Sequence, residues 1–284
     1  MSAGHTLGVI GGSGLYDLDG LAGVEEVEVD TPYGRPSDAL VRGRLGETTL
    51  LFLPRHGRGH RVPPHQINYR ANVCAMKKAG ATHLLSVSAV GSMKEEIRPG
   101  DLVVVDQYVD LTKRRISTFF EDGIAAHVAF SQPVCASLAE RTAQAAERAG
   151  ARVHRGGTYV CMEGPQFSTR GESLVYRSWG VDVIGMTAMP EAKLAREAEL
   201  PYTTLALATD YACWHASNEP VNVESVIAVL KANVAVARRT IVELALALPD
   251  RGESPASTAL RGAVMTDPGA ITDEARARLA WLLP

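Results

Sequence analysis

Three short stretches carry groups that bind an anion. They are Gly11-Gly12-Ser13-Gly14, Arg55-His56-Gly57-Arg58 and Ser86-Val87-Ser88-Ala89-Val90-Gly91-Ser92. Each follows an apolar run of the kind that forms a buried strand. Together they offer backbone N–H groups, hydroxyls and a guanidinium, the donors that hold a phosphate. Three such stretches at strand ends predict one shared crevice in an α/β sheet. Thr187 and Asp210 also stand at the ends of apolar runs and belong with this polar set. Phe167, Met186 and Val223 supply apolar and aromatic partners. The polar subset suits an inorganic or ester phosphate. The apolar subset suits a flat ring with an apolar appendage.

Other chemistries lack their residues. A dinucleotide fingerprint starting at Gly12 needs a third glycine where Asp17 stands, so Gly11–Gly14 is either an anion loop or a plain tight turn. His56, His60 and His65 invite a zinc reading. The intervening glycines and Pro63-Pro64 break any helix that would align them, and no Cys or carboxylate is near as a further ligand. No metal is expected. There is no Walker A and no HExxH, and Leu15 stands where a GxSxG elbow built on Ser13 needs glycine. The four Cys (Cys74, Cys135, Cys161, Cys213) form no CxxC and read as buried free thiols.

Composition sets the frame. A chain of 284 residues with 46% hydrophobic residues can bury a full core. A net charge of -3 provides no basic field for nucleic acid. The sequence shows no secretory leader and no membrane-length apolar run, so a cytoplasmic protein is expected.

The elements that must position these groups follow in order. Leu7–Ile10 reads as a strand, and Ala39–Arg44 with Thr48–Leu53 as a hairpin that feeds Arg55. Ile67–Gly80 reads as a helix with Asn68, Tyr69 and Asn72 on its polar face. His83–Val87 is a strand that runs into a small-residue loop at Ser88–Ser92, where a ligand can approach the backbone. Asp101–Asp106 is a strand, and Asp110–Val134 is irregular and long enough to be functional or an interface. Ser137–Gly150 is a helix, Val153–Met162 a strand, Ser173–Trp179 a helix and Val181–Ile184 a strand. Ala192–Ala198 is a helix, Tyr202–Thr209 a strand and Val223–Leu248 a long helix. A polar linker at about 250–258 and a helical tail at 259–284 complete the chain. The alternation predicts a single α/β domain over 1–284, a central mixed twisted sheet flanked by helices.

With these motifs in order, the chain resembles the trimeric purine nucleoside phosphorylases and, among them, the methylthioadenosine phosphorylases. The matching stretches are GGSGLY (11–16), TPYGRPSDAL (31–40), RHGR (55–58), INYRAN (67–72), SAVGS (88–92), EIRPGD (96–101), EGPQFSTRGES (163–173), GMTAMPE (185–191) and ATDYACW (208–214). The resemblance implies a nucleoside phosphorylase-like fold and phosphorolysis of S-methyl-5′-thioadenosine to adenine and 5-methylthioribose 1-phosphate, a step in purine and methionine salvage. It implies phosphate contacts from Ser13, Arg55, His56, Ser88, Ala89 and Thr187. It places Met186 at the ribose, stacks Phe167 on the base and assigns the purine to Asp210, the candidate acid. It also implies a homotrimer, with His127 as a residue lent to a neighbouring site, and no cofactor beyond inorganic phosphate as co-substrate.

The chain departs from that pattern in three places. Ala212 stands where adenine-specific members carry a second Asp, and Gly185 where Asn is usual before the Met-Thr pair. Val223 stands where phosphorylases of free 5′-hydroxyl nucleosides place His, which suits an apolar methylthio group. A 6-oxopurine or methylthioinosine phosphorylase is the alternative enzyme. A nucleotide- or phosphate-sensing module is the alternative from outside catalysis.

Overall fold

The computed structural model describes residues 5–12, 14–15, 18–215, 223–250, 252 and 254–283, with the backbone alone for 223–228 and 230. Its described strands join in one 11-stranded mixed sheet. β1 (Thr6–Gly11) lies between β4 (Thr48–Pro54) and β5 (His83–Ser92), parallel to both. Leu7, Val9 and Ile10 are all buried, as a strand covered on both faces requires. Three adjacent parallel strands therefore end on one edge, and they bring Gly12, Arg55 and Ser88 together.

β3 (Leu40–Leu45) pairs antiparallel with β4, as the hairpin reading expects, and β2 (Ala22–Val27) adds an exposed edge strand beyond it. On the other side the sheet forks at β5. β11 (Tyr202–Tyr211) runs parallel along its length, and β10 (Val183–Gly185) pairs antiparallel with its last residues. Beyond β10 come β9 (Thr158–Cys161) and β7 (Gln107–Asp110), and beyond β11 come β6 (Leu102–Val105) and β8 (Val153–Arg155).

Two expectations change here. Ser88–Ser92 is not a loop, because β5 continues to Ser92 and pairs with β11 and β10 throughout. The stretch expected as one strand over Val153–Met162 is two, split by Gly156 and Gly157 with φ of 78° and 120°.

Helices cover both faces. α1 (Tyr69–Lys78) and α4 (Ala188–Glu197) share one apolar layer with Tyr69, Val73, Met76, Ala192 and Leu194 in it. α2 (Ala136–Arg148) and α5 (Val223–Ala245) share the other through Leu138, Ala237 and Ile241. Asn68 caps α1 by accepting from the Ala71 N–H, but Tyr69 and Asn72 are buried rather than on a polar face. The Asn72 amide is satisfied in the interior by the N–H and hydroxyl of Ser37. α3 (Arg170–Ser178) opens with a Thr169/Glu172 capping box. The stretch after α5 carries a 3-10 turn at Pro255–Thr258 with Ala256 buried, and α6 (Asp273–Leu279) packs against the segment before α2 through Ala275 and Leu279. Among the described residues no helix is long and apolar enough to cross a membrane.

Candidate active site

The strand ends surround a cavity of about 380 Å³. Arg55, His56, Ser88, Ala89, Phe167, Met186, Thr187, Asp210 and Ala212 all line it. Ser13 lies outside the described residues, although its neighbour Gly12 is in the wall. Val223 begins α5, with its side chain outside the described set, and Val234 of the same helix lines the cavity. His127 is elsewhere: it is exposed, and its N–H donates to the Ala263 carbonyl.

Arg55 leaves β4 directly, its N–H held by the Gly11 carbonyl at 2.8 Å. Its side chain is 2% exposed and its partner Glu191, on α4, is 0% exposed. Nε donates to Glu191 Oε2 at 2.9 Å, and Nη2 to Oε1 at 3.1 Å, Ser86 Oγ at 2.7 Å and the Ile10 carbonyl. Nη1 gives one proton to the Val87 carbonyl at 3.1 Å. That leaves a second Nη1 proton for an anion. Burial pulls the guanidinium pKa down, and the Glu191 charge and hydrogen bonds more than reverse this, so Arg55 stays charged.

His56 behaves differently. Burial is the main cause that lowers its pKa to about 4, with Arg55 and His60 adding to it against the hydrogen bond to Val62. His56 is therefore neutral at pH 7. The Val62 carbonyl, 2.9 Å from Nδ1, can only accept, which fixes the proton on Nδ1 and leaves a lone pair on Nε2. His60 stacks on His56 with ring centroids 4.2 Å apart and holds φ at 55°. It also lines the cavity, a position its zinc-like spacing did not indicate. Among the described residues no group of three or more His, Cys, Asp and Glu side chains is placed to hold a metal.

Beside these, Ser88 Oγ and Thr187 Oγ1 stand 3.0 Å apart, one on β5 and the other at the N-cap of α4. Thr187 makes no side-chain cap bond to its own helix. Its hydroxyl is thus not used by its own helix and stands on the cavity wall.

Asp210 is aimed by a bulge. The register of β11 against β5 slips between Ala208 and Asp210, and such an extra residue redirects the side chain that follows. The Ala208 carbonyl is held there by the Asn233 amide at 3.0 Å and by the Gly100 N–H. Burial raises the Asp210 pKa, partly offset by a 2.8 Å bond from Thr209 Oγ1. Beside it are Ala212, which is buried, and the half-buried Ser168 and Cys213, with Phe167 at the mouth, 56% exposed.

Two residues behind the wall were not legible as site residues. Glu191 is the buried counter-charge of Arg55. Arg115, from the irregular segment, is enclosed between the two loops that carry Met162–Phe167 and Met186–Pro190. Its Nη1 donates to the carbonyls of Met186 and Met189 at 2.6 Å each and to Tyr69 Oη at 2.8 Å. Its Nη2 donates to the Glu163 carbonyl at 2.5 Å, and its Nε to Glu163 Oε1 at 2.9 Å. The only sequence signal was a pair of arginines inside a long structureless stretch.

The arrangement offers hydrogen-bond donors at one end, the Asp210 carboxyl at the other and apolar walls between. Comparison with known proteins agrees. Residues 6–246 match the Phosphorylase superfamily. The chain is 55% identical over 280 residues to the S-methyl-5′-thioadenosine phosphorylase of Geobacter sulfurreducens, covering 98% of each chain. It is 49% identical to the protein of the same name from Koribacter versatilis, over 98% of this chain and 95% of that one. The crystal structure of a methylthioadenosine phosphorylase from an antarctic soil metagenomic library superposes with a TM-score of 0.93 at 46% identity, covering 99% of both chains. The Schistosoma mansoni methylthioadenosine phosphorylase in complex with adenine gives 0.85 at 35% identity, covering 92% of this chain and 99% of that one.

Proposed function

Because the chain belongs to the phosphorylase superfamily, we propose that it cleaves S-methyl-5′-thioadenosine with inorganic phosphate, giving adenine and 5-methylthioribose 1-phosphate. One observation carries this reading: the Arg55, His56, Ser88 and Thr187 group and the raised carboxyl of Asp210 open into the same cavity. Hydrogenphosphate sits under the sugar, held by charge-assisted and hydroxyl bonds worth about 1.5–3 kcal/mol each where a charge is involved. The C1′–N9 bond breaks through an oxocarbenium-like state as a phosphate oxygen bonds to C1′. Asp210 delivers a proton to N7 of the departing purine. The proton lost by hydrogenphosphate restores the acid, so atoms and charge balance with no metal or organic cofactor.

Met186 and the α5 wall receive an apolar 5′ group, and a free hydroxyl buried there without a partner costs about 1–3 kcal/mol. Ala212 removes one acceptor for a 6-amino group, so a 6-oxopurine or methylthioinosine substrate is the second reading. The assignment extends to a cytoplasmic homotrimer. Leu174, Val175 and Trp179, all exposed on and beside α3, supply an apolar face for a neighbouring copy. Light scattering of the active protein decides this, since an active monomer contradicts it.

Asp210→Asn tests the acid. The native enzyme works with Asp210 protonated, and burial holds its pKa above the ordinary carboxylate range. Activity is therefore kept on the acid side and falls as pH rises through that raised pKa. The asparagine variant is expected to lose roughly 10²-fold or more in kcat and to lose that limb of the pH profile. An unchanged pH profile removes Asp210 from proton transfer.

A further inference from the structure

A third hydroxyl lies beneath the Ser88–Thr187 pair. Tyr159, on β9, is fully buried and lies behind the cavity wall. Its Oη is 3.3 Å from Ser88 Oγ and accepts from the Thr187 N–H at 3.4 Å. Gly185 makes room for it: a Cβ at that position would come within 1.9 Å of the hydroxyl. Gly185, which departs from the family pattern, is thus matched to Tyr159 in this chain.

Donor and acceptor rules give the network a direction. The Thr187 N–H can only donate, so the Tyr159 oxygen accepts there. The single phenolic proton then has Ser88 Oγ as its acceptor among the described residues, and a buried hydroxyl proton left unpaired is costly. Burial pushes the Tyr159 pKa up to about 12, so the proton is in place at neutral pH. Ser88 receives that bond and has its own proton free to give. Thr187 Oγ1 at 3.0 Å is the nearer acceptor, and the Ala89 carbonyl lies at 3.4 Å. Thr187 Oγ1 in turn accepts from Ser88 and has its proton left for the cavity. When an anion is bound, the Ser88 proton can turn to it as well. Either way the buried end supplies the proton and the cavity end donates.

We propose that Tyr159 is a positioning residue that fixes the direction of this hydroxyl chain, so that Ser88 and Thr187 present donors to an acceptor-rich anion. The inference rests on the phosphorolysis reading and assigns part of its phosphate affinity to a residue that does not touch phosphate. Without the phenol, Ser88 is free to turn its lone pairs to the ligand or its proton to Ala89.

Tyr159→Phe removes one oxygen and keeps the ring. The phosphate KM is expected to rise about tenfold, with the nucleoside KM and the melting temperature close to those of the unmodified protein. A phosphate KM within twofold of the original in Tyr159→Phe overturns the inference. So does a parallel rise of both KM values with a lowered melting temperature, which marks a packing role. If the unmodified protein releases base without phosphate, the functional reading itself fails. Phosphorolysis by the unmodified protein with an indifferent Tyr159→Phe removes this inference alone.

Discussion

Arg55→Ala is expected to lose about 3–5 kcal/mol of stability and most of its phosphate affinity, the first because Glu191 is left buried without its counter-charge. Among the described residues Glu191 Oε1 would keep the Tyr202 hydroxyl alone, at 3.1 Å. The carbonyls of Ile10 and Val87 and the Ser86 hydroxyl would lose a donor in the same step. A single alanine therefore cannot separate scaffold from site. Arg55→Leu combined with Glu191→Leu can, because replacing both members of a buried pair with apolar groups is often close to neutral in stability. The double variant should melt well above Arg55→Ala, short of native by the donors that Ile10, Val87 and Ser86 lose, and need far more phosphate for half-maximal rate. A double variant with native phosphate KM would make Arg55 a structural ion and move anion binding to His56, Ser88 and Thr187 alone.

Arg115→Lys is expected to fold and to lose about 10²-fold in kcat/KM for the nucleoside. The guanidinium holds the Met186 and Glu163 carbonyls at 2.6 and 2.5 Å, so the two segments that wall the cavity are tied to one rigid fork. A lysine keeps the charge and supplies a single donor centre in place of the fork. A displacement of the loops by about 1 Å is enough for a loss of that size. Steady-state rates with each co-substrate varied in turn measure it. A lysine variant within a few-fold of native would show that the loops hold their shape without this clamp.

Local pattern carried the parts of this structure that depend on local pattern. The apolar runs Leu7–Ile10, Thr48–Leu53 and His83–Val87 were legible as buried strands, and the parallel element followed from the helix between the second and third. β2 was missed because its residues are exposed along most of its length and give no apolar signal. Ser88–Ser92 looked like a loop because it is built of small residues, which here serve close packing: a Cβ on Gly91 would meet Ile184 and Ala212 at 3.1 and 3.3 Å. Tyr69 and Asn72 looked solvent-facing because polar type predicts exposure until a distant partner is known, and Asn72 finds Ser37 35 positions away. The same reason hid Glu191, 136 positions from Arg55, and Arg115, 71 positions from Met186.

The central claim is phosphorolysis of a methylthio nucleoside. It is tested most directly by following free base and sugar phosphate from methylthioadenosine, methylthioinosine, adenosine and inosine, each with and without inorganic phosphate. One equivalent of 5-methylthioribose 1-phosphate per adenine is expected, with no base released without phosphate and methylthioadenosine preferred over adenosine by about tenfold to a hundredfold. Cleavage of inosine at least as efficient as that of methylthioadenosine, or base release that ignores phosphate, would contradict it.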